Sequence, residues 1–125
     1  MTKPQQGADA EPAPQLIERR YNMKVSIENG KRTFRTNSGA KLYPVCNWER
    51  NQHKIYNNAD RCRNAEQDAF LNSSETELNK AIARREHAEH LVDVINGFII
   101  DGVVYAEYDD YKAIKNVIAA YDIRH

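Results

Sequence analysis

The sequence predicts an α+β domain: a small three-stranded antiparallel sheet packed on a long helix, with a further C-terminal helix. Three observations carry this expectation. Residues 20 to 38 alternate apolar and polar side chains around Asn29-Gly30, the pattern of a β-hairpin. Residues 66 to 99 repeat apolar side chains at spacings of three, four and seven, the pattern of a helix. The chain has 125 residues, 41% of them apolar, which is enough for one modest core.

Residues 1 to 18 include three of the four prolines and little that is apolar, and read as a disordered tail. The domain is expected over 19 to 125. In its first strand Tyr21, Met23, Val25 and Ile27 share one face, and Asn22, Lys24, Ser26 and Glu28 share the other. A two-residue Asn29-Gly30 loop fixes the register. Glu28 then faces Lys31, Ile27 faces Arg32, Ser26 faces Thr33, and Val25 faces Phe34. Lys24 faces Arg35, Met23 faces Thr36, and Asn22 faces Asn37.

Gly39 breaks the ribbon, and Pro44 keeps Lys41 to Pro44 extended. Asn47-Trp48-Glu49-Arg50 suits a short helical turn, and His53 to Tyr56 is a candidate third strand. The long helix is expected from about Glu66 to Ile99. Its stripe is Leu71, Leu78, Ala81, Ile82, Ala88, Leu91, Val92, Ile95 and Ile99, with Arg85 interrupting it and Ser74 offering a fresh cap. Residues 98 to 105 read two ways. Asp101-Gly102 could turn a second hairpin, or the helix could run to Ile100 and end at Gly102; the helix is preferred. A last helix starts near Asp109-Asp110, with Tyr111, Ile114, Val117, Ile118 and Tyr121 on one stripe.

The formal net charge of zero hides a split. Residues 19 to 63, the expected basic sheet, carry eleven cations against three acids, a net +8. Residues 64 to 125, the expected acidic helical part, carry six cations against twelve acids, a net −6. Such asymmetry points to a polyanionic partner for the basic part. The alternative is that the basic sheet docks on the acidic helices of its own chain.

The outward hairpin face would present Asn22, Lys24, Ser26, Thr33, Arg35 and Asn37, all capable of hydrogen bonding. Like charges opposite each other destabilise a ladder unless an anion normally lies over them. A two-stranded ribbon fits the major groove of B-DNA, where Arg, Lys and Asn read base edges. Lys31, Arg32, Lys41 and Lys54 would flank it as phosphate contacts. The alternative is an ordinary polar, solvent-facing hairpin.

Other chemistry finds little support. His87 and His90 sit in Glu-His-Ala-Glu-His, which matches neither zinc-helix pattern. Cys46, His53 and Cys62 lack zinc-ligand spacing. No glycine-rich phosphate loop occurs, and no serine or cysteine has an evident activating base. No enzyme activity, cofactor or metal is expected. Trp48 reads as a core anchor rather than a base-stacking platform. Cys46 and Cys62 read as reduced thiols of a cytoplasmic protein, and neither a signal peptide nor a membrane span is expected.

The stretch from Met23 to Ile55 resembles the N-terminal arm-type DNA-binding domain of tyrosine recombinases, the integrases of conjugative transposons and related mobile elements. The residues carrying the likeness are Val25-Ser26-Ile27, Asn29-Gly30-Lys31-Arg32, Ser38-Gly39, Pro44, Trp48 and Ile55. Further along, Leu78-Asn79, Gly102 and Asp109-Asp110 stand where that family opens its helix, ends it and starts the next; the likeness spans roughly 20 to 118. Residues 103 to 121 depart from it in being rich in tyrosine and acid. The resemblance implies a three-stranded sheet inserted in a DNA groove, binding accessory arm sites, in a bacterial, phage or mobile-element protein. The catalytic domain of an integrase would lie beyond His125, so no catalytic residue is assigned. Two competing expectations stand beside it. The acidic surface of residues 66 to 122 could serve a small element-encoded inhibitor that binds a protein partner. A self-assembling structural protein would need apolar surface, for which Tyr105, Tyr108 and Tyr111 are the candidates.

Overall fold

The structure, a computed structural model, describes residues 23 to 125. The expected tail, Tyr21 and the Asn22–Asn37 pair lie outside the described residues or depend on them. Within that range the chain forms β1 (Met23–Glu28), β2 (Lys31–Thr36), β3 (Lys41–Asn47), α1 (Trp48–Asn72), α2 (Glu75–Ile95), β4 (Phe98–Ile100), β5 (Val103–Ala106) and α3 (Tyr108–Arg124). The fold is α+β, but among the described residues its sheet has five strands and not three. They run antiparallel in the order β1-β2-β3-β5-β4.

The first hairpin has the expected register at every pair from Met23–Thr36 to Glu28–Lys31. Its turn needs two left-handed residues, and Asn29 (φ 54°) and Gly30 (φ 76°) supply them. A second turn joins β2 to β3. There the Thr36 hydroxyl meets the Ser38 hydroxyl at 2.9 Å and accepts from the Ala40 amide at 3.1 Å.

Four expectations about the chain beyond the first hairpin are corrected. The third strand is Lys41–Asn47, and His53 to Tyr56 lie in α1. The Asn47 side chain accepts from the Arg50 amide at 2.8 Å and so starts a 25-residue helix where a single turn was expected. That helix buries only Ile55, Ala59 and Ala69, too sparse an apolar stripe to announce itself. The expected Glu66–Ile99 helix is the end of α1 and all of α2, split at Ser73. Ser74 caps α2 by accepting from the Glu77 amide at 3.3 Å. Residues 98 to 105 form a hairpin and not a helix end, turned by Asp101 (φ 53°) and Gly102 (φ 78°).

One core joins these elements. Val45, Val104 and Ala106 of the sheet pack with Ile55, Leu91, Ile95 and Ile114 of the three helices. Trp48 packs against this cluster, and its Nε1 donates to Asn96 Oδ1 at 3.3 Å, as expected of a core anchor. Farther out, α1 and α2 meet along buried Ala59, Ala69, Ala81 and Ala88. Arg85, which interrupts the apolar stripe, joins the helices instead: it donates to Glu66 at 2.6 Å and to Glu89 at 3.1 Å. Arg63 reaches Glu89 from the other side at 2.9 Å. Leu71, placed on the stripe by its spacing, is exposed at the far end of α1.

The core does not extend under β1. Val25 is 54% exposed and Ile27 68%, although their alternation predicts a covered face. Strand β1 continues the sheet beyond the reach of the helices and meets solvent on both faces, whereas β2 still buries Phe34. The division into basic sheet and acidic helices is corrected too. Arg50, Lys54, Arg61 and Arg63 of the basic stretch belong to α1.

Candidate nucleic-acid interface

Side chains of residues paired across a sheet share a face. The pairs Lys24–Arg35 and Arg35–Lys41 therefore place three cations in one row across β1, β2 and β3. At strand spacings of about 4.8 Å the row spans roughly 10 Å. Ser26 and Thr33 pair in the next row of the same face, and Glu28 and Lys31 in the row after that. Asn37, in the turn after β2, is exposed. Arg32 pairs with Ile27 and so lies on the opposite face with Val25 and Phe34.

The repulsion in this row is relieved in part from within. Glu28 Oε2 lies 3.6 Å from Arg35 Nε and accepts from the Ser26 hydroxyl at 3.1 Å. Arg35 also donates through Nη1 to the Gly39 carbonyl at 3.1 Å. These partners are exposed and hold the guanidinium weakly.

Lys41 connects the row to features that sequence reasoning missed. Its Nζ stands 5.3 Å from the centre of the Tyr43 ring. Tyr43 in turn meets Tyr108 at 5.5 Å and Tyr111 at 5.8 Å on α3. Lys112 covers Tyr108 at 4.8 Å and Lys115 covers Tyr111 at 5.8 Å. The row is thus continued onto α3 by three tyrosines interleaved with two further lysines. The three- and four-residue spacings of Tyr108, Tyr111, Lys112 and Lys115 carried that signal, but the acidic start of the helix masked it. Glu107, Asp109 and Asp110 line the same hollow beside Lys41 and Tyr43, so the surface is mixed in charge. Asp110 is engaged elsewhere, 3.0 Å from His90 Nε2.

An open cleft of about 420 Å³ separates the hairpin tip from β3. Pairing of β2 with β3 reaches only Phe34–Leu42 and Arg35–Lys41. Pro44 has no N–H to continue it. Lys31, Arg32 and Thr33 therefore peel away and line the cleft with Tyr43, Pro44 and Tyr105. The Phe34 and Tyr105 rings meet edge to face at its floor, 5.0 Å apart. Burial and the nearby Asp101 carboxylate raise the Tyr105 phenol above its usual range, so it stays a neutral hydrogen-bonding group.

Lys54 is not brought to this surface. It lies on α1 and meets Asp122 at 2.8 Å, near the opposite end of α3. His87 and His90 have ring centres 6.2 Å apart. Among the described residues no group of three or more His, Cys, Asp or Glu side chains is arranged to hold a metal ion. Cys46 and Cys62 are unpaired, and burial raises the Cys46 thiol above its usual range. No described helix is long and apolar enough to cross a membrane. A scan against family models and searches of curated proteins and of solved structures return no match.

Proposed function

We propose that this chain binds double-stranded DNA through its first β-hairpin, with sequence-specific contacts from the face that bears Lys24, Ser26, Thr33 and Arg35. The observation that carries this reading is the row Lys24–Arg35–Lys41 on a ribbon that projects beyond the helices. A two-stranded ribbon whose polar face and outer strand are exposed can enter a major groove, which a sheet backed by helices to its edge cannot do so readily. Arg35 and Lys24 would address base edges. Lys31, Arg32 and Lys41 would meet phosphates, with Asn22 and Asn37 as further hydrogen-bonding contacts. Lys112 and Lys115 extend the phosphate-binding surface along α3. The role fits an arm-site-binding module resembling that of a tyrosine recombinase, acting without chemistry of its own, in the cytoplasm of a bacterial host.

The reading in which an acidic helical face binds a protein is less well supported. Glu66, Glu89 and Asp122 are engaged by arginines and a lysine of the same chain.

Duplex binding across a salt series tests the proposal. The logarithm of the affinity should fall with the logarithm of salt by about 0.9 per phosphate neutralised. Lys24→Ala with Arg35→Ala should flatten that slope, and Lys54→Ala should leave it unchanged. No binding to mixed duplex at low salt sinks the proposal.

A further inference from the structure

Among the described residues the outer edge of β1 is open, and its sequence is complementary to itself. Strand β1 ends the sheet among the described residues, paired with β2 on one side only. A two-residue turn makes Glu28–Lys31 the hydrogen-bonded closing pair of the hairpin. Alternation from that pair turns the N–H and C=O of Val25 and Ile27 away from β2, toward the open edge. Those two residues also have exposed side chains, 54% and 68%.

We infer that β1 pairs antiparallel with β1 of a second copy, about a two-fold axis at Ser26. In this register Val25 faces Ile27 of the other copy, and Ile27 faces its Val25. Both pairs are of the hydrogen-bonded type, so the outward backbone groups of all four residues are satisfied. Lys24 faces the other copy's Glu28, and Glu28 faces its Lys24, in pairs of the closer, non-hydrogen-bonded type. Ser26 faces Ser26. Registers centred on Val25 or Ile27 satisfy backbone groups too, but they set both charges against neutral side chains. A register centred on Lys24 sets like charges together. Charge therefore selects the Ser26 register.

On the other face the four Val and Ile side chains join into one apolar strip beside the two Phe34 rings, which pair with Val25. The result is a continuous sheet of ten strands, since each copy contributes five. Charged residues on an edge strand commonly prevent such pairing. Here Lys24 and Glu28 are spaced so that self-association satisfies them. One strand pair is a small interface, so association is weak and depends on concentration. The inference does not rest on DNA binding, and its test contains no DNA.

Sedimentation equilibrium of the full chain over a wide concentration range measures it. The wild type should pass from monomer to dimer. Lys24→Glu and Glu28→Lys should each weaken association by about tenfold or more, because each sets two like-charge pairs in the interface. The double variant restores complementarity and should dimerise again. Mixing the two single variants should give a mixed dimer that neither forms alone. This rescue also separates the interface from damage to the fold, since Glu28 carries the Arg35 contact in the monomer. A monomer at every concentration overturns the inference. So does dimerisation that ignores both reversals, and so does failure of both the double variant and the mixture to recover.

Discussion

Glu89 shows how single residues hold the two long helices in register. Hydrogen bonds from Arg63 and Arg85 hold its carboxyl below the ordinary carboxylate range. The stability it confers is complete above that ordinary range and is lost as pH falls through the lowered value. Glu89→Gln should therefore lower the melting temperature at neutral pH and flatten its decline toward acid. Thermal melts from neutral into acid solution check this, and a parallel decline in variant and wild type would contradict it. Arg85 and Glu89 stand at a helical spacing of four on α2, but their partners Glu66 and Arg63 were not legible, because these lie on α1, a helix whose course depends on the tertiary fold. Lys54 is the same lesson in reverse. Its place in a basic stretch suggested a phosphate contact, and the helix carries it to Asp122 instead.

At the scale of elements, two hairpins with nearly the same turn differ in how plainly the sequence shows them. Asn29-Gly30 and Asp101-Gly102 adopt the same pair of left-handed conformations. The first was legible because six-residue strands flank it, long enough to show alternation. The second has strands of three and four residues. It also follows a helix, and Ile99 stands four residues beyond Ile95, so the helical period runs on into the strand. His53 to Tyr56 failed for a related reason: a lone Ile55 among polar residues carries neither period. The turns themselves support a prediction. A Cβ at Gly30 or Gly102 would meet nothing within 4 Å, so alanine there costs only the left-handed backbone penalty, about 1 kcal/mol. Gly102→Ala should lower global stability in denaturant titration by about that amount, because the Gly102 carbonyl accepts from the Trp48 amide at 2.8 Å beside the core. Gly30→Ala should instead loosen the projecting hairpin and leave the global midpoint nearly unchanged. Equal shifts for both would show that the first hairpin unfolds with the core.

Across the whole molecule the sheet divides into a backed part and an unbacked part. Strands β3 and β5 lie in the core, whereas β1 stands in solvent on both faces. Hydrogen exchange should follow this division. The amides of β1 and β2 should exchange by local opening, much faster than those of β3 and β5 near Val45 and Val104. Uniform protection across the five strands would contradict it. The α+β class and the hairpin register were legible because they depend on local alternation and turn chemistry. Which face of the hairpin is covered was not, because alternation marks a face as apolar without saying whether anything lies on it.

The middle strand of the sheet is shared between near and distant partners. β3 meets β2 through a short turn, yet it meets β5 only after both long helices have intervened. The first contact can form in microseconds, whereas the second must close a loop of more than fifty residues. Folding α1 against α2 brings the ends of that loop together before the strands meet, which shortens the search. This order would make docking of β5 onto β3 the rate-limiting step, which folding rates of variants measure. Mutations at Val104 should slow folding, and mutations in the first hairpin should leave the folding rate almost untouched.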